Sequence, residues 1–137
     1  MLSFLSALNP KVTACLTIDL QQMSMAQDVG ALVSLSSLEY QHFTTRLNEV
    51  VLPNVQQVQT YCRHNQIELI HARIQSLTLD GRDRSRGHKD LGLHIPPGSP
   101  MAQFLPQVAP QGDELILNKT SSGVFASTNL NLSLIHI

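Results

Sequence analysis

The first apolar run of the chain reads Thr13-Ala-Cys-Leu-Thr-Ile-Asp-Leu20 and contains one carboxylate, Asp19, directly after the strand-like stretch. Its apolar and β-branched residues predict a buried strand of a parallel sheet. In open α/β sheets, ligands bind at the carboxyl ends of the strands. Asp19 is therefore a candidate functional residue.

A predicted helix and a second strand follow this run. The helix begins at Leu52-Pro53-Asn54, where a proline fits because the first turn needs no N–H from it. One face of this helix is apolar and is expected to pack on the sheet: Val55, Val58 and Cys62. The segment Ile67-Glu-Leu-Ile-His-Ala-Arg-Ile74 then predicts the second strand. This β-α-β order predicts two parallel strands joined by a right-handed crossover.

Two long segments and a third strand complete the predicted fold. Residues 21–49 are irregular, with a possible helix around 38–50, and residues 78–98 are rich in glycine, proline and charge. Loops of this length at strand ends usually carry function. The third strand covers Glu114 to Asn118 and is followed by Lys119. We therefore predict an α/β fold with a parallel sheet, in which Asp19 and Lys119 converge as an acid/base pair.

Composition narrows the classes of partner. The 137 residues fit one domain, and their 42% apolar content is enough for a core. With nine Lys and Arg residues and a net charge of −1, the chain offers no basic face for nucleic acid. No run approaches the roughly 20 apolar residues of a membrane helix. Cys15 and Cys62 form no CxxC pair, so we expect a reducing, cytoplasmic setting.

Several motifs surround Lys119 and extend the pattern. Residues 112–128 read Gly-Asp-Glu-Leu-Ile-Leu-Asn-Lys-Thr-Ser-Ser-Gly-Val-Phe-Ala-Ser-Thr. They follow Gly81-Arg-Asp-Arg-Ser, Gly87-His-Lys-Asp-Leu-Gly and Pro97-Gly-Ser, and the first strand reads Leu16-Thr-Ile-Asp19-Leu-Gln-Gln. From about Lys11 to Leu130 the chain resembles the isochorismatase-like cysteine hydrolase family.

The resemblance implies a three-layer α/β fold with a mostly parallel, doubly wound sheet. It also implies an Asp, Lys and Cys triad that hydrolyses amide-type C–N bonds or, in isochorismatases proper, a vinyl ether. By position, Asp19 is the general base and Lys119 the adjacent cation, while the family's nucleophilic Cys, expected after a fourth strand, has no match. Cys15 and Cys62 are interpreted as inert core thiols. The resemblance implies a small-molecule substrate, no cofactor and a homo-oligomeric parent. The alternative is a non-catalytic binding or regulatory protein that retains the fold.

Other candidate residues are weaker. Arg73, at a strand end, is a candidate substrate contact, and Phe125 is either a pocket wall or part of the core. Nicotinamidases of this superfamily bind a metal through Asp-x-His and a further His. The segment after the second strand has no such pattern, and His88 and His94 lack ligand spacing, so no metal is expected. His71 is interpreted as a hydrogen-bonded core residue.

The end of the chain is interpreted separately. Residues 1–131 are predicted to be the N-terminal part of the hydrolase domain. Residues 132–137, Leu-Ser-Leu-Ile-His-Ile, resemble the translation of a sequencing adapter and are predicted to be a non-native tail, the alternative being a genuine short strand. The fold is then incomplete at its C-terminus, so we expect an inactive fragment whose sheet exposes an apolar edge and one uncovered face.

Overall fold

A three-stranded parallel sheet forms the centre of the computed structural model, which describes residues 8–136. The strands are β1 (Ala14–Ile18), β2 (Glu68–Ile74) and β3 (Leu115–Lys119), and β2 lies between the other two. Ile18 is in register with Ala72, and Ile74 with Lys119. The predicted α/β class and parallel sheet are confirmed. The strand ends differ from the prediction by one or two residues, and Lys119 is the last residue of β3 rather than the residue after it.

The first excursion is helical for most of its length. Short 3-10 helices at Gln22–Met25 and Gly30–Ser34 precede α1 (Ser37–Arg46), which Ser36 caps by accepting a hydrogen bond from the N–H of Glu39. A π-helical turn (Leu47–Val51) then leads without a break into α2 (Leu52–His64). The helix predicted to begin at Leu52 is therefore the second half of a longer one. The wide turn stands directly before Pro53, which cannot donate a helical hydrogen bond.

Helices cover both faces of the sheet. Alternate residues of a strand point to opposite faces, and here Leu69 packs with Cys62 of α2, whereas Ile70 and Ala72 pack with Val124 and Leu130. These last two residues belong to α4 (Val124–Ser127) and α5 (Leu130–His136). The expectation of one uncovered face is wrong, because the segment after β3 folds back across the sheet.

Both outer strands of the sheet have an unpaired edge among the described residues, and an apolar groove lies beside that of β1. Within residues 8–136, β1 pairs with β2 alone, and an apolar groove beside it is lined by Ile18, Val55 and Val58 among others. Val58, predicted to share the buried face of α2, is about half exposed in this groove, whereas Cys62 is buried. The expected apolar edge is therefore present.

Residues 132–136 of the tail are helical rather than a strand, and Ile137 lies outside the described residues. That the tail is non-native stays a prediction. Residues 130–136 form α5, which begins where the Thr128 hydroxyl accepts a hydrogen bond from the N–H of Leu130. Leu130 is buried in the core, and Leu132, Leu134 and Ile135 are exposed.

The long segment after β2 is tied to β3 by backbone hydrogen bonds. The N–H of Gln75 donates to the carbonyl of Lys119, and the N–H of Ser85 donates to that of Thr120 at 2.9 Å. Ser85 also caps α3 (Arg86–Asp90). Short 3-10 helices at Pro100–Ala102 and Pro106–Val108 then lead to β3. No helix within residues 8–136 has the length and apolar character needed to span a bilayer.

Candidate active site

Asp19 and Lys119 meet at the carboxyl ends of β1 and β3. Lys119 Nζ lies 3.0 Å from Asp19 Oδ2, and the lysine side chain is 2% exposed. The predicted convergence of the two side chains is thus confirmed, although β2 separates their strands. A buried ammonium group is costly unless an opposite charge compensates it. The Asp19 carboxylate therefore stabilises the buried position of the Lys119 ammonium group.

Asp19 adopts a backbone conformation that is rare for residues other than glycine. Its φ is +60°, while its N–H donates to the carbonyl of Ala72 at 2.9 Å and its own carbonyl accepts from the Ser24 hydroxyl. Aspartate tolerates this left-handed region better than most residues. Strained backbone held by surrounding hydrogen bonds is characteristic of functional sites.

Lys119 is also held by the segment that follows it. Its Nζ donates a second hydrogen bond to the carbonyl of Ser122 at 3.3 Å, so the turn after β3 folds around the ammonium group. An ammonium has three N–H donors. Two are accounted for by Asp19 and Ser122.

Gln21 positions the segment that carries Asp19, and the sequence interpretation missed its role. It is fully buried, its Oε1 accepts from the N–H of Ile74 at 2.6 Å, and its Nε2 donates to the carbonyls of Ile74 and Met101. These bonds attach the exit of β1 to the exit of β2. The one available signal was a glutamine two residues after a strand-end aspartate, which does not reveal partners more than 50 residues away.

The Arg73 side chain is hydrogen-bonded within the protein. Its guanidinium donates to the Asn118 side chain, to the Ala102 carbonyl and to the Gln75 side chain, and it lies over the ring of Phe104. Its pKa is lowered by burial, without leaving the range in which arginine is charged. Its role as a substrate contact stays a prediction, and the geometry favours a structural role.

Phe125 lies on the turn of helix that follows the Lys119 segment. It is 60% exposed, so it is not a core residue. Of the two interpretations left open, a wall of a binding pocket remains a prediction.

The two cysteines lie in the layer between β1 and α2. Cys62 is buried with Ile67 and Leu69, and Cys15 packs against the same cluster. Burial raises the pKa of the Cys62 thiol to about 11, and the neighbouring Cys15 acts in the same direction. Since the thiolate is the reactive form, Cys62 is inert at neutral pH.

His88 is a residue of the site that the metal argument did not identify. It is 1% exposed on α3, and burial followed by the charge of Lys119 lowers its pKa, with Asp19 acting in the opposite direction. Its Nδ1 and Asp19 Oδ1 are the two buried side-chain polar atoms of residues 8–136 that have no hydrogen-bond partner. Asp19 belongs to the ion pair, and the charges of Lys119 and Asp19 both act on the His88 ring.

His71 and Glu114 form a second, partly buried polar cluster, near the middle and amino end of the sheet. His71 is fully buried between the Thr17 hydroxyl and the Glu114 carboxylate, which confirms the predicted hydrogen-bonded core residue. Glu114 also accepts two hydrogen bonds from Arg63 and one from the N–H of Gln111. Hydrogen bonding from Arg63 is the main cause that lowers the pKa of Glu114 to about 2.

Two surface concavities lie away from the ion pair. One, near the amino ends of the strands, is lined by Arg63, Glu68 and Asp113 among others, and the other is the groove beside β1. Neither is lined by Asp19 or Lys119. Within the described residues, no three or more His, Cys, Asp and Glu side chains are grouped as a metal site would need. The absence of a metal stays a prediction.

Comparison with known proteins agrees with this geometry. The model of the isochorismatase domain matches residues 13–136, which include both strands that carry the ion pair. The chain belongs to the isochorismatase family. No curated protein sequence matches it significantly.

Solved structures of the isochorismatase family share the fold. A cysteine hydrolase from Pseudomonas syringae pv. phaseolicola 1448A has a TM-score of 0.70 at 23% identity, with 94% of this chain and 56% of that one covered. An isochorismatase family protein from Desulfovibrio vulgaris subsp. vulgaris str. Hildenborough has a TM-score of 0.65 at 16% identity, with 91% and 61% covered. The chain thus spans somewhat more than half the length of these relatives.

Proposed function

We propose that this chain supplies the acid/base half of the active site of a cysteine-dependent hydrolase. The observation that carries the proposal is the 3.0 Å contact between the buried Lys119 ammonium and the partly exposed Asp19 carboxylate, at the carboxyl ends of β3 and β1. Ligands of open α/β sheets bind at this edge, so a buried ion pair there supports a catalytic role. Amide-type C–N bonds are the proposed substrate class, and the vinyl ether of isochorismatases proper is the second one.

The roles of the two residues follow from their charges. Asp19 takes the proton of a cysteine thiol, and Lys119 stabilises the thiolate. The thiolate attacks the carbonyl carbon, a C–S bond forms, and the C–N bond breaks as the amine leaves with the proton from Asp19. A water molecule then attacks the thioester carbonyl carbon while Asp19 accepts its proton, the C–S bond breaks, and Asp19 returns the proton to the cysteine sulfur as the acid leaves.

The nucleophile is proposed to lie in the part of the family domain that this chain does not cover. Two observations support this: the chain spans 56% and 61% of the lengths of two solved relatives, and Cys62 is a buried thiol with a raised pKa. We accordingly propose that the 137 residues alone are inactive. A small-molecule substrate, the absence of a cofactor, a cytoplasmic location and a homo-oligomeric parent belong to the same proposal.

The nucleotide sequence downstream of the Asn131 codon provides the first test. We expect it to encode an apolar strand followed by a glycine-containing turn and a cysteine. A genuine stop codon there would contradict the proposal and favour the non-catalytic binding protein.

The extended chain provides the second test. Ammonia release is measured over a panel of small amides and ureides, and vinyl ether cleavage on enol-ether substrates, before and after Cys→Ala at the new cysteine. We expect hydrolysis of at least one class and its loss in the Cys→Ala variant. Equal turnover with and without that cysteine would overturn the mechanism. Lys11→Met changes an exposed lysine far from the Asp19–Lys119 pair, so it is the control for activity lost during protein preparation.

A further inference from the structure

The chain turns out of the sheet at Asp19, and Lys119 shows which face of the sheet the carboxylate must reach. Successive side chains of a strand point to opposite faces. Leu115, Leu117 and Lys119 occupy alternate positions of β3, and the two leucines pack in the cluster that α4 and α5 share with the sheet. Lys119 also donates to the carbonyl of Ser122, in the segment that leads to α4. The ammonium group therefore lies on the α4–α5 side.

A regular continuation of β1 would direct Asp19 to the opposite side. Cys15 and Asp19 are four residues apart, so an unbroken strand would point both side chains to one face. Cys15 packs against the cluster around Cys62, which is the α2 side of the sheet. The left-handed backbone of Asp19, with φ at +60°, ends the alternation of β1. This turn allows the carboxylate to contact Lys119 at 3.0 Å.

The turn leaves two backbone groups of β2 without a strand partner. The N–H of Asp19 donates to the carbonyl of Ala72 at 2.9 Å, so Ala72 presents its backbone groups to β1. Ile74, two residues further along β2, presents its N–H and its carbonyl to the same side. β1 ends at Ile18 and does not extend to them. Because buried backbone groups without partners are costly, another group has to bind them.

The side-chain amide of Gln21 takes the place of the missing strand. Its Oε1 accepts from the N–H of Ile74 at 2.6 Å, and its Nε2 donates to the carbonyl of Ile74 at 3.0 Å. The same Nε2 donates to the carbonyl of Met101 at 2.9 Å, and the whole side chain is buried. An amide offers both a donor and an acceptor, whereas a carboxylate offers acceptors alone. Gln21 thus binds the groups that a straight β1 would bind with its main chain.

The main chain on either side of Gln21 is bonded elsewhere. The carbonyl of Leu20 accepts from the N–H of Leu105 at 2.9 Å, and the N–H of Gln22 donates to the carbonyl of Gln103 at 2.7 Å. These bonds direct the main chain of residues 20–22 towards the 103–105 segment. The turned chain therefore depends on two sets of bonds, and the Gln21 amide supplies the set at β2.

We propose that Gln21 is a positioning residue that selects the face of the sheet on which Asp19 lies. By binding the backbone of Ile74, it stabilises the turned chain in which Asp19 meets Lys119. Without the amide, Ile74 is satisfied when β1 continues straight, and the Asp19 carboxylate then moves to the α2 side. The inference rests on the proposed function only for its effect on turnover, because the choice of face exists in the chain whether or not it catalyses a reaction.

Double-mutant cycles in the 137-residue chain test this selection. The coupling free energy between Asp19→Asn and Lys119→Met is measured by urea unfolding in the wild type and in Gln21→Met, with far-UV circular dichroism to confirm folding. We expect the coupling to fall by at least half in Gln21→Met. A side chain that only stabilised the fold would affect all four proteins of the cycle equally and leave the coupling unchanged.

Gln59→Met is the matched control. Gln59 lies on α2, is 1% exposed, and donates to the carbonyl of Val108 at 3.0 Å, so the substitution removes an equally buried amide that does not bind β2. We expect it to lower the free energy of unfolding and to leave the coupling between Asp19 and Lys119 unchanged.

Gln21→Glu keeps the test decisive if Gln21→Met does not fold. Burial raises the pKa of a carboxyl group, so we expect the introduced group to be protonated at pH 5 and ionised at pH 8. When protonated, it can accept from the N–H of Ile74 and donate to one carbonyl; when ionised, it has no donor for Ile74 or Met101. The coupling should therefore be close to that of the wild type at pH 5 and lower by at least half at pH 8, with the wild type measured at both.

Two results would overturn the inference. One is a coupling between Asp19 and Lys119 that is equal in the wild type and in Gln21→Met or, where that variant is unfolded, equal to that of the wild type in Gln21→Glu at both pH values. The other is an equal fall of the coupling in Gln59→Met. A coupling that depends on Gln21 in a chain whose extended form lacks hydrolase activity would support the inference and contradict the proposed function, so the two failures are distinguishable.

Discussion

The sheet carries two partly buried polar clusters, and they are built differently. Near the amino end of β3, Glu114 receives hydrogen bonds from Arg63, His71 and the backbone of Gln111. At the carboxyl end, Asp19 has one paired and one unpaired oxygen and a left-handed backbone, and His88 has an unpaired nitrogen. A satisfied cluster stabilises a fold, whereas unsatisfied atoms and backbone strain are typical of functional sites. We therefore expect the Glu114 cluster to contribute more to stability, and we propose the Asp19 end of the sheet as the catalytic one.

The largest stability effect is expected at the satisfied cluster. Glu114→Ala leaves the Arg63 guanidinium and the His71 ring without their acceptor, so we expect the free energy of unfolding to fall by about 2 to 3 kcal/mol. Urea unfolding measures this. Asp113→Ala, at the exposed neighbouring position, is the control and should stay within about 0.5 kcal/mol of the wild type. If Glu114→Ala and Asp113→Ala lowered the free energy of unfolding equally, the Glu114 cluster would not be a stabilising one.

A double-mutant cycle sharpens the comparison at the other end. Asp19→Asn leaves the Lys119 ammonium buried without a counter-ion, and we expect a loss of about 2 kcal/mol. Adding Lys119→Met removes the stranded charge, so the double variant should recover at least half of that loss. Strictly additive losses in urea unfolding would mean that the two side chains do not interact.

The acid dependence of stability should follow Glu114. Its pKa is near 2 in the folded protein and 4.5 ordinarily, so the folded state holds the charged form more tightly than the unfolded state does. The resulting stabilisation is complete above about pH 4.5 and is lost as the pH falls towards 2. We expect the difference in urea midpoint between wild type and Glu114→Gln to shrink from pH 6 to pH 3. A difference that stays constant over this range would contradict the assignment.

The smallest change in stability is expected from relieving backbone strain. Among the described residues, two that are not glycine have a positive φ: Asp19 and Gln66. Gln66 follows α2 in the turn before β2, where glycine is preferred. Gln66→Gly should therefore raise the free energy of unfolding by about 0.5 to 1 kcal/mol. Asp19→Gly relieves the same backbone strain but loses the ion pair, so its thermal unfolding midpoint should fall while that of Gln66→Gly rises. A lower thermal unfolding midpoint in both variants would show that relief of backbone strain does not stabilise the protein at Gln66.

The sequence predicted what depends on local pattern. Apolar runs located the three strands, and the polar residues that end the first and third runs located the ion pair, because parallel strands bring their carboxyl ends to one edge. The side-chain bonds of Gln21 and those from Arg63 and His71 to Glu114 were not predictable. Each joins residues about 40 to 80 positions apart and depends on strand register and on the path of the loops. The helix α5 was missed because alternation in a short segment does not decide between strand and helix.

The central claim is that Asp19 and Lys119 act together in hydrolysis, and one kinetic comparison tests it most directly. In the chain extended through the family domain, kcat is measured for the wild type, Asp19→Asn and the exposed control Asp113→Asn, with folding checked by circular dichroism. We predict that Asp19→Asn lowers kcat by about a thousandfold or more while Asp113→Asn leaves it unchanged. A folded Asp19→Asn variant with the turnover of the wild type would contradict the claim.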